Sequence, residues 1–365
     1  MMHKLNYFFL FLLLIFCSKA FAQADGIRVI AYYAGDAERI DNYPVEKLTH
    51  IIFSFSHLKG NQLNIDNARD TATIQKLVSL KKRNPNLKVI LSLGGWGGCK
   101  TCSDIFSTAN DRNAFAESVK KLLVDFKADG IDLDWEYPAI EGFPGHKFQP
   151  ADKENFTNLV QQLRMTLGEK YEISFAAGGF KKFIDESVEW DKVMKEVNYV
   201  NLMTYDLVNG YATVTGHHTP LYSTPQQTES TDRSVTQLIG LGVPKNKIII
   251  GAAFYGRMWE NVPDTNFGLY QSGKFKKGVD FKNMDSALSI NKGFIYHWDD
   301  VANAPFLYNP SQKLFVTFDD KRSIWLKTKY VADKGLGGIM FWELGSDSYK
   351  DGLLKMIDEV KKSLE

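Results

Sequence analysis

Asp132, Asp134 and Glu136 alternate with Ile131, Leu133 and Trp135. A period of two is that of a β-strand, whose successive side chains leave opposite faces, so one face carries carboxyls and the other apolar groups. An exposed strand of a solvated sheet would show the same alternation. The flanks argue against it: Asp129-Gly130 opens the segment, Pro138 closes it and an amphipathic helical pattern precedes it. That is the setting of a central strand in a βα unit, where three acids are costly to bury unless chemistry or pairing calls for them. Glu136 comes last, nearest the mouth, where a protonated carboxyl can meet a leaving-group oxygen. Asp134, two residues deeper, can hydrogen-bond to it, and Asp132 can share a proton with Asp134. Like charges this close raise one another's pKa, so the row is expected to titrate as a coupled unit and to supply the general acid that glycosidic cleavage needs.

The row does not supply a nucleophile. Ordinary retaining glycosidases flank the scissile bond with two carboxyls on opposite sides of the sugar, whereas residues two apart on one strand share a wall. Either Asp206 or Glu343 brings the second carboxylate from another strand, or the substrate brings its own nucleophile. A 2-acetamido group can do so, its carbonyl oxygen closing on the anomeric carbon to an oxazolinium ion while Asp134 orients the amide N–H. The second route is the expectation.

Short apolar runs at 29–33, 50–55, 88–93, 130–137, 172–177, 199–205, 248–255 and 338–343 provide the strands that would hold these groups. Helical stripes lie between several of them, such as Phe115, Val119, Leu122, Leu123 and Phe126, or Phe156, Leu159, Val160, Leu163 and Leu167. Leu77, Val78 and Leu80 belong to another, closed by Asn84-Pro85. Eight such repeats predict a (β/α)8 TIM barrel, with an open doubly wound sheet as the alternative, and polar groups at the C-terminal ends of several runs favour the barrel. Residues 257–317 break the rhythm, with candidate strands at 296–299 and 313–318 and no long amphipathic helix. A structureless loop of that length is improbable in a compact domain. The expectation is a small α+β insertion at 257–317, with the barrel formed by 23–256 and 318–365 and a helix over 321–334 leading to the last strand.

The 365 residues hold 44 Lys and Arg against 43 Asp and Glu, interspersed, for a formal charge of +1. This leaves no electrostatic footprint for nucleic acid or an anionic membrane, and a neutral partner is expected. Sixteen Tyr and seven Trp suit stacking against sugar rings as well as a large core. Residues 1–22 have the form of a secretory signal peptide: His3 and Lys4, an apolar run over 5–16, and Ala20-Phe21-Ala22 for cleavage. The run is shorter than the roughly 20 apolar residues of a membrane span. Bulky Phe16 disfavours a lipid anchor at Cys17. The mature protein is therefore expected to be secreted, extracellular or periplasmic, and monomeric by default. Cys99 and Cys102 remain, expected as a local structural disulfide rather than a redox motif or a zinc site.

Together these residues resemble the chitinases of glycoside hydrolase family 18. Asp129-x-x-Asp132-x-Asp134-x-Glu136 followed by Tyr137-Pro138 resembles that family's signature. Ser92-Leu-Gly-Gly-Trp96 is similar to its third-strand motif and Met203-Thr-Tyr-Asp206 to its sixth, while Tyr255-Gly-Arg257 and Phe341-Trp-Glu343 are similar to the ends of strands seven and eight. The resemblance runs in order from about residue 29 to 347. It implies a chitinase needing no metal or cofactor, which cleaves β-1,4 links between N-acetylglucosamine units with retention by the substrate-assisted route known for the family. By the same resemblance Glu136 is acid and then base, Asp134 assists the acetamido group and Asp132 supports Asp134. Tyr205 and Asp206 would hold the acetamido carbonyl and its surroundings, and Trp342 would floor the subsite where the sugar distorts. Tyr32, Phe55, Trp96, Tyr137, Met203, Tyr255 and Arg257 would line that subsite or its neighbours.

Plainer roles compete with several of these. Gly94-Gly95 serves either a tight turn or close ligand approach, Met203 and Trp342 either core or subsite. Tyr205-Asp206 could be a buried hydrogen-bonded pair, and Arg257 could merely pair with a rim carboxylate such as Asp206. His217-His218 reads as a loop near the cleft, not a metal site; His218 departs from the Asn that related sequences often carry there. Rival functions are an inactive chitin-binding lectin, disfavoured by the intact acids, and an endo-β-N-acetylglucosaminidase on N-glycans, a branch that generally lacks the insertion. A conventional two-carboxylate glycosidase using Asp206 or Glu343 is the third.

Overall fold

The computed structural model describes residues 26–364, so the expected signal segment and Cys17 lie outside it. In chain order the first eight strands are β1 (Arg28–Tyr33), β2 (His50–Lys59), β3 (Gln62–Asn64), β4 (Lys88–Gly94), β5 (Gly130–Asp134), β6 (Glu172–Gly178), β7 (Tyr199–Met203) and β8 (Ile248–Ala253). Six more follow: β9 (Tyr255–Glu260), β10 (Lys274–Asp280), β11 (Ile295–Asp299), β12 (Ala304–Asn309), β13 (Leu314–Thr317) and β14 (Gly338–Trp342). Strands β1, β2, β4, β5, β6, β7, β8 and β14 pair in parallel, and β1 contacts both β14 and β2, which closes the barrel. The short β3 folds back antiparallel on the end of β2. The doubly wound alternative is thereby excluded, because an open sheet has two unpaired edges.

The barrel strands other than β5, whose inward residues are Gly130 and the two aspartates, contribute their two parities to two separate cores. Val29, Ile51, Val89, Leu91, Ile131, Leu133, Ile173, Phe175, Val200, Leu202, Ile339 and Phe341 pack outward with the helices. Ile30, Tyr32, Ile52, Ile90, Ala176, Tyr199, Met203, Ile249 and Met340 fill the interior. The helices carry the stripes that cover the outer layer. Ala109–Phe126 buries Phe115, Val119 and Leu123 and is capped by the Thr108 side chain; Asp152–Leu167 buries Phe156, Leu159, Val160, Leu163 and Leu167.

β5, β7, β8 and β14 stop short of their apolar runs. β4 ends at Gly94 because the backbone turns away there, with φ of 108° at Gly94 and 79° at Gly95. β5 therefore loses its partner at Asp134, and Glu136 stands on the loop beyond the strand rather than on it. β7 ends at Met203, and Asp206 takes a left-handed φ of 56° just outside. Tyr255 belongs not to β8 but to β9, the second strand of a five-stranded sheet with antiparallel order β10-β9-β13-β12-β11. That sheet includes the expected strands at 296–299 and 313–318, together with two the sequence pattern did not suggest, lysine-rich β10 and wholly buried β12. Clusters around Met258, Val279 and Val316 on one side and Trp259, Phe306 and Phe315 on the other cover both faces.

A buried ion pair joins the second sheet to the barrel. Lys327, on the helix Lys321–Lys334, is fully buried and donates to Asp319 Oδ1 and Oδ2 at 2.9 and 2.7 Å and to Thr219 Oγ1 at 2.5 Å. Asp319 in turn accepts from the Ala253 amide at the end of β8 and from Ser323 Oγ. Removing one partner of such a pair strands the other charge out of water. The Lys327→Met variant is expected to lose about 3–5 kcal/mol of stability, read by denaturant unfolding; an unchanged midpoint would show that the pair carries no net stability.

Candidate active site

Register places three short polar side chains in one row inside the barrel, since Asp132 on β5 lies opposite Ser92 on β4 and Ser174 on β6. Asp132 is fully buried, and four donors occupy its two oxygens. Tyr32 Oη and Ser92 Oγ donate to Oδ2 at 3.0 and 2.8 Å, Ser174 Oγ and Asn201 Nδ2 to Oδ1 at 2.7 and 3.2 Å. Burial still pushes its pKa above the usual range, with those donors opposing. With every lone-pair direction taken, Asp132 is an anchor for the layer above it.

Asp134 is 4% exposed, and its Oδ1 meets no hydrogen-bond partner among the described residues. Burial raises its pKa well above the ordinary value, and the charges of Glu136 and Asp132 add to that. Glu136 is half-buried and its pKa is pushed up to about 7. Burial is the main cause, the Tyr137 hydroxyl opposes it and the charge on Asp206 reinforces it. The Asp134–Glu136 pair thus retains a proton into the neutral range, which is the condition for a general acid at that pH.

Asp206 stands on the loop after β7 with its carboxylate caged. Arg257 donates to both oxygens through Nε and Nη2, Tyr255 Oη donates to Oδ1 at 2.7 Å, and His218 Nδ1 lies 3.4 Å from Oδ1. Burial alone would raise its pKa, but His218 and Arg257 outweigh it and hold Asp206 below the usual carboxylate range. Two sheets therefore build the site: the barrel contributes the carboxylate row, and β9 contributes Tyr255 and Arg257. Tyr205 packs edge-on to Tyr255, with its hydroxyl 3.8 Å from Met340 Sδ.

Aromatic groups surround these acids at two depths. Tyr32 and Met203 are 2% and 8% exposed and belong to the barrel interior beneath the mouth. Trp342 and Phe55 are half-buried and stacked, ring centres 5.6 Å apart and planes within 11°, and Tyr32 lies 6.0 Å below Trp342. Tyr137 packs between Phe183 at 5.3 Å and Trp96 at 6.3 Å. Trp96, 46% exposed, gathers Phe143 and Tyr211 around it at 5.6 and 6.4 Å. Non-proline cis peptide bonds lie at Ser54–Phe55, Glu136–Tyr137 and Trp342–Glu343, all at this end of the barrel.

The glycine pair has a backbone reason for being there. A Cβ at Gly94 would meet the Asp134 carbonyl at 2.2 Å, and one at Gly95 the Phe55 ring at 2.3 Å. Just beyond, Cys99 and Cys102 form a disulfide with Cα atoms 5.3 Å apart.

Glu343 is not brought to the row. It accepts from the Ala34 and Gly345 amides at 3.2 and 3.0 Å and lines a separate cavity of about 220 Å³ with Tyr33, Arg39, Tyr43 and Lys282. Its neighbour Tyr33 belongs to the outer layer, so the alternation that turns Trp342 inward turns Glu343 away. His217 and His218 are both fully buried and face different groups, His217 Nε2 lying 3.0 Å from Asp299 Oδ2. The pair lies on a loop beside the site carboxylate, and His218 approaches Asp206, a placement no sequence spacing reveals. Asn201, Ser174, Phe143 and Tyr211 were also not singled out from the sequence. Ser174 and Asn201 carried a signal in their inward parity; Phe143 and Tyr211, on irregular loops, carried none.

Against known proteins, residues 28–347 match the family described as glycosyl hydrolases family 18. The chain is 31% identical to chitinase A1 of Niallia circulans over 90% of this chain and 57% of that one, so it spans little more than half of that relative. It is 32% identical to chitotriosidase-1 of Mus musculus over 83% of this chain and 68% of that one. A solved structure of a glycoside hydrolase family 18 N-acetylglucosaminidase from Paenibacillus barengoltzii superposes with a TM-score of 0.83 at 36% identity, covering 92% of this chain and 99% of that one. A match that runs from the first barrel strand past the last, through the carboxylate row, Asp206 and Trp342, shows that the chain belongs to glycosyl hydrolase family 18.

Proposed function

We propose that this glycoside hydrolase is an exported chitinase that cleaves β-1,4 links between N-acetylglucosamine units with retention, the substrate's acetamido group acting as nucleophile. One observation carries the mechanism. Asp134 presents a buried, unpartnered oxygen beneath a half-buried Glu136, while the other two candidate carboxylates are committed, Asp206 to Arg257 and Tyr255 and Glu343 to backbone amides. A carboxylate held by a bidentate guanidinium is a poor nucleophile. An acceptor awaiting a donor at the depth of Asp134 suits an amide N–H. The names of the relatives, chitinase, chitotriosidase and N-acetylglucosaminidase, support a substrate built from N-acetylglucosamine.

In this reading Glu136 gives its proton to the glycosidic oxygen as the bond to the anomeric carbon breaks. The acetamido oxygen closes on that carbon, forming an oxazolinium ion. Asp134 accepts the amide N–H, aligns the oxygen for attack and offsets the positive charge that develops. Glu136, now ionised, takes a proton from the water that reopens the ring, so configuration is retained after two inversions. Trp342, stacked on Phe55, gives the sugar at the cleavage point an apolar floor, and Tyr205 with Asp206 flanks the acetamido group. Trp96 and Tyr211 stand exposed at the rim, suited to a neighbouring sugar.

Three outcomes test this. Glu136→Gln is expected to lower kcat on chitin oligomers by about 10²–10⁴-fold while oligomer affinity stays within a few-fold; turnover at the parent rate would remove Glu136 from the acid role. Because the protonated form of Glu136 is the active one, kcat/KM is expected to fall as pH rises through about 7, and a profile flat to pH 9 would contradict the assignment. Fully acetylated hexamer should be hydrolysed and fully deacetylated hexamer left intact. Efficient cleavage of the latter, or a sugar trapped covalently on Asp206, would favour a two-carboxylate mechanism instead.

A further inference from the structure

His218 has no place in the mechanism above, yet its surroundings are specific. The imidazole is wholly buried, with Nδ1 3.4 Å from Asp206 Oδ1, and neither ring nitrogen makes a hydrogen bond among the described residues. Its backbone is locked on both sides: the amide donates to Thr317 Oγ1 on β13 at 3.1 Å, and the carbonyl accepts from Leu207, directly after Asp206, at 3.0 Å. The adjacent His217 pins the same loop to Asp299 on β11. The ring packs 5.3 Å from that of Tyr255, so the groups acting on it are Asp206 from the β7 loop, Tyr255 and Arg257 from β9, and Asp319 after β13. Among them only Asp206 is in contact with an imidazole nitrogen.

Resting on the chitinase reading of the site, we propose that His218 is a positioning residue: it backs Asp206 and, with Tyr255 and Arg257, holds that carboxylate where its charge acts on Glu136. Tyr255 and Arg257 grip Asp206 from the second sheet. Without the ring, Oδ1 loses the group on that side, and the carboxylate is held only by Tyr255 and Arg257, both from the second sheet. The consequence runs through Glu136. The charge on Asp206 helps Glu136 keep its proton, so a displaced Asp206 lets Glu136 ionise at lower pH. The alkaline limb of the rate profile then moves down.

His218→Leu removes the ring nitrogens; His218→Asn keeps a donor able to reach Asp206. With acetylated chitin hexamer, His218→Leu is expected to lose about tenfold in kcat, more than it changes KM, and to move the alkaline limb down by about half a pH unit. His218→Asn is expected to restore both. A His218→Leu enzyme with the parent kcat and limb overturns the proposal. So does an equal loss in both variants that follows a lowered Tm, since that is a packing role. A second readout needs no turnover: the His218 ring ¹⁵N resonances are expected to shift in Asp206→Asn, and unchanged resonances overturn the contact. Failure of the parent enzyme to cleave any N-acetylglucosamine oligomer would sink the chitinase reading instead, leaving the resonance experiment to judge His218.

Discussion

Carrying ionisable carboxyls inside a closed barrel is the constraint to which the rest of this structure answers. Water is excluded there, and an isolated buried carboxylate would cost far more than the few kcal/mol by which a domain is stable. Asp132 meets the cost with four donors drawn from β1, β4, β6 and β7, so its position is set by half the barrel at once. Asp134, directly above, has no comparable set, and Glu136 stands at the edge of solvent. The gradient from fully satisfied to unsatisfied along one wall turns a folding liability into a proton store at the mouth.

The second sheet completes that electrostatics from the other side. β9 leaves the barrel directly after β8 and carries Tyr255 and Arg257 back over the mouth, where they neutralise Asp206 and keep it ionised. One carboxylate kept ionised and another inclined to keep its proton is a division of roles that neither sheet could set up alone. The buried Lys327–Asp319 pair and the His217–Asp299 contact fasten the two sheets together around the same loop. Rigidity between them matters because the charge on Asp206 acts on Glu136 across the gap.

The aromatic groups divide by depth in a way that follows from strand parity and chain exit. Residues still on the strands, Tyr32 and Met203, are sealed into the interior and act only through what they support. Phe55 at the register break of β2, Trp342 at the end of β14 and Tyr137 just past β5 are half-buried and shape the floor. Trp96 and Tyr211, farther out on loops, are exposed. A sugar chain lying across the mouth would meet them in that order, from rigid to adaptable.

Local pattern determined a good deal about this protein. The eight parallel strands, the stripes of the helices Ala109–Phe126 and Asp152–Leu167, the outward face of Ile131, Leu133 and Trp135, and the helix Lys321–Lys334 are all readable from the sequence, because burial on a regular element repeats at the element's own period. Strand ends were not readable: whether 135–137 continue β5 depends on whether β4 is still alongside, and the turn at Gly94-Gly95 takes it away. β10 and β12 escaped for a related reason, since a lysine-rich strand and a wholly buried one lack the alternation that marks a half-exposed edge. The partners of Asp132, the cage around Asp206 and the withdrawal of Glu343 to a separate pocket belong to tertiary structure alone. They join residues up to 309 positions apart, and a one-dimensional pattern holds no distance between positions that different elements bring together.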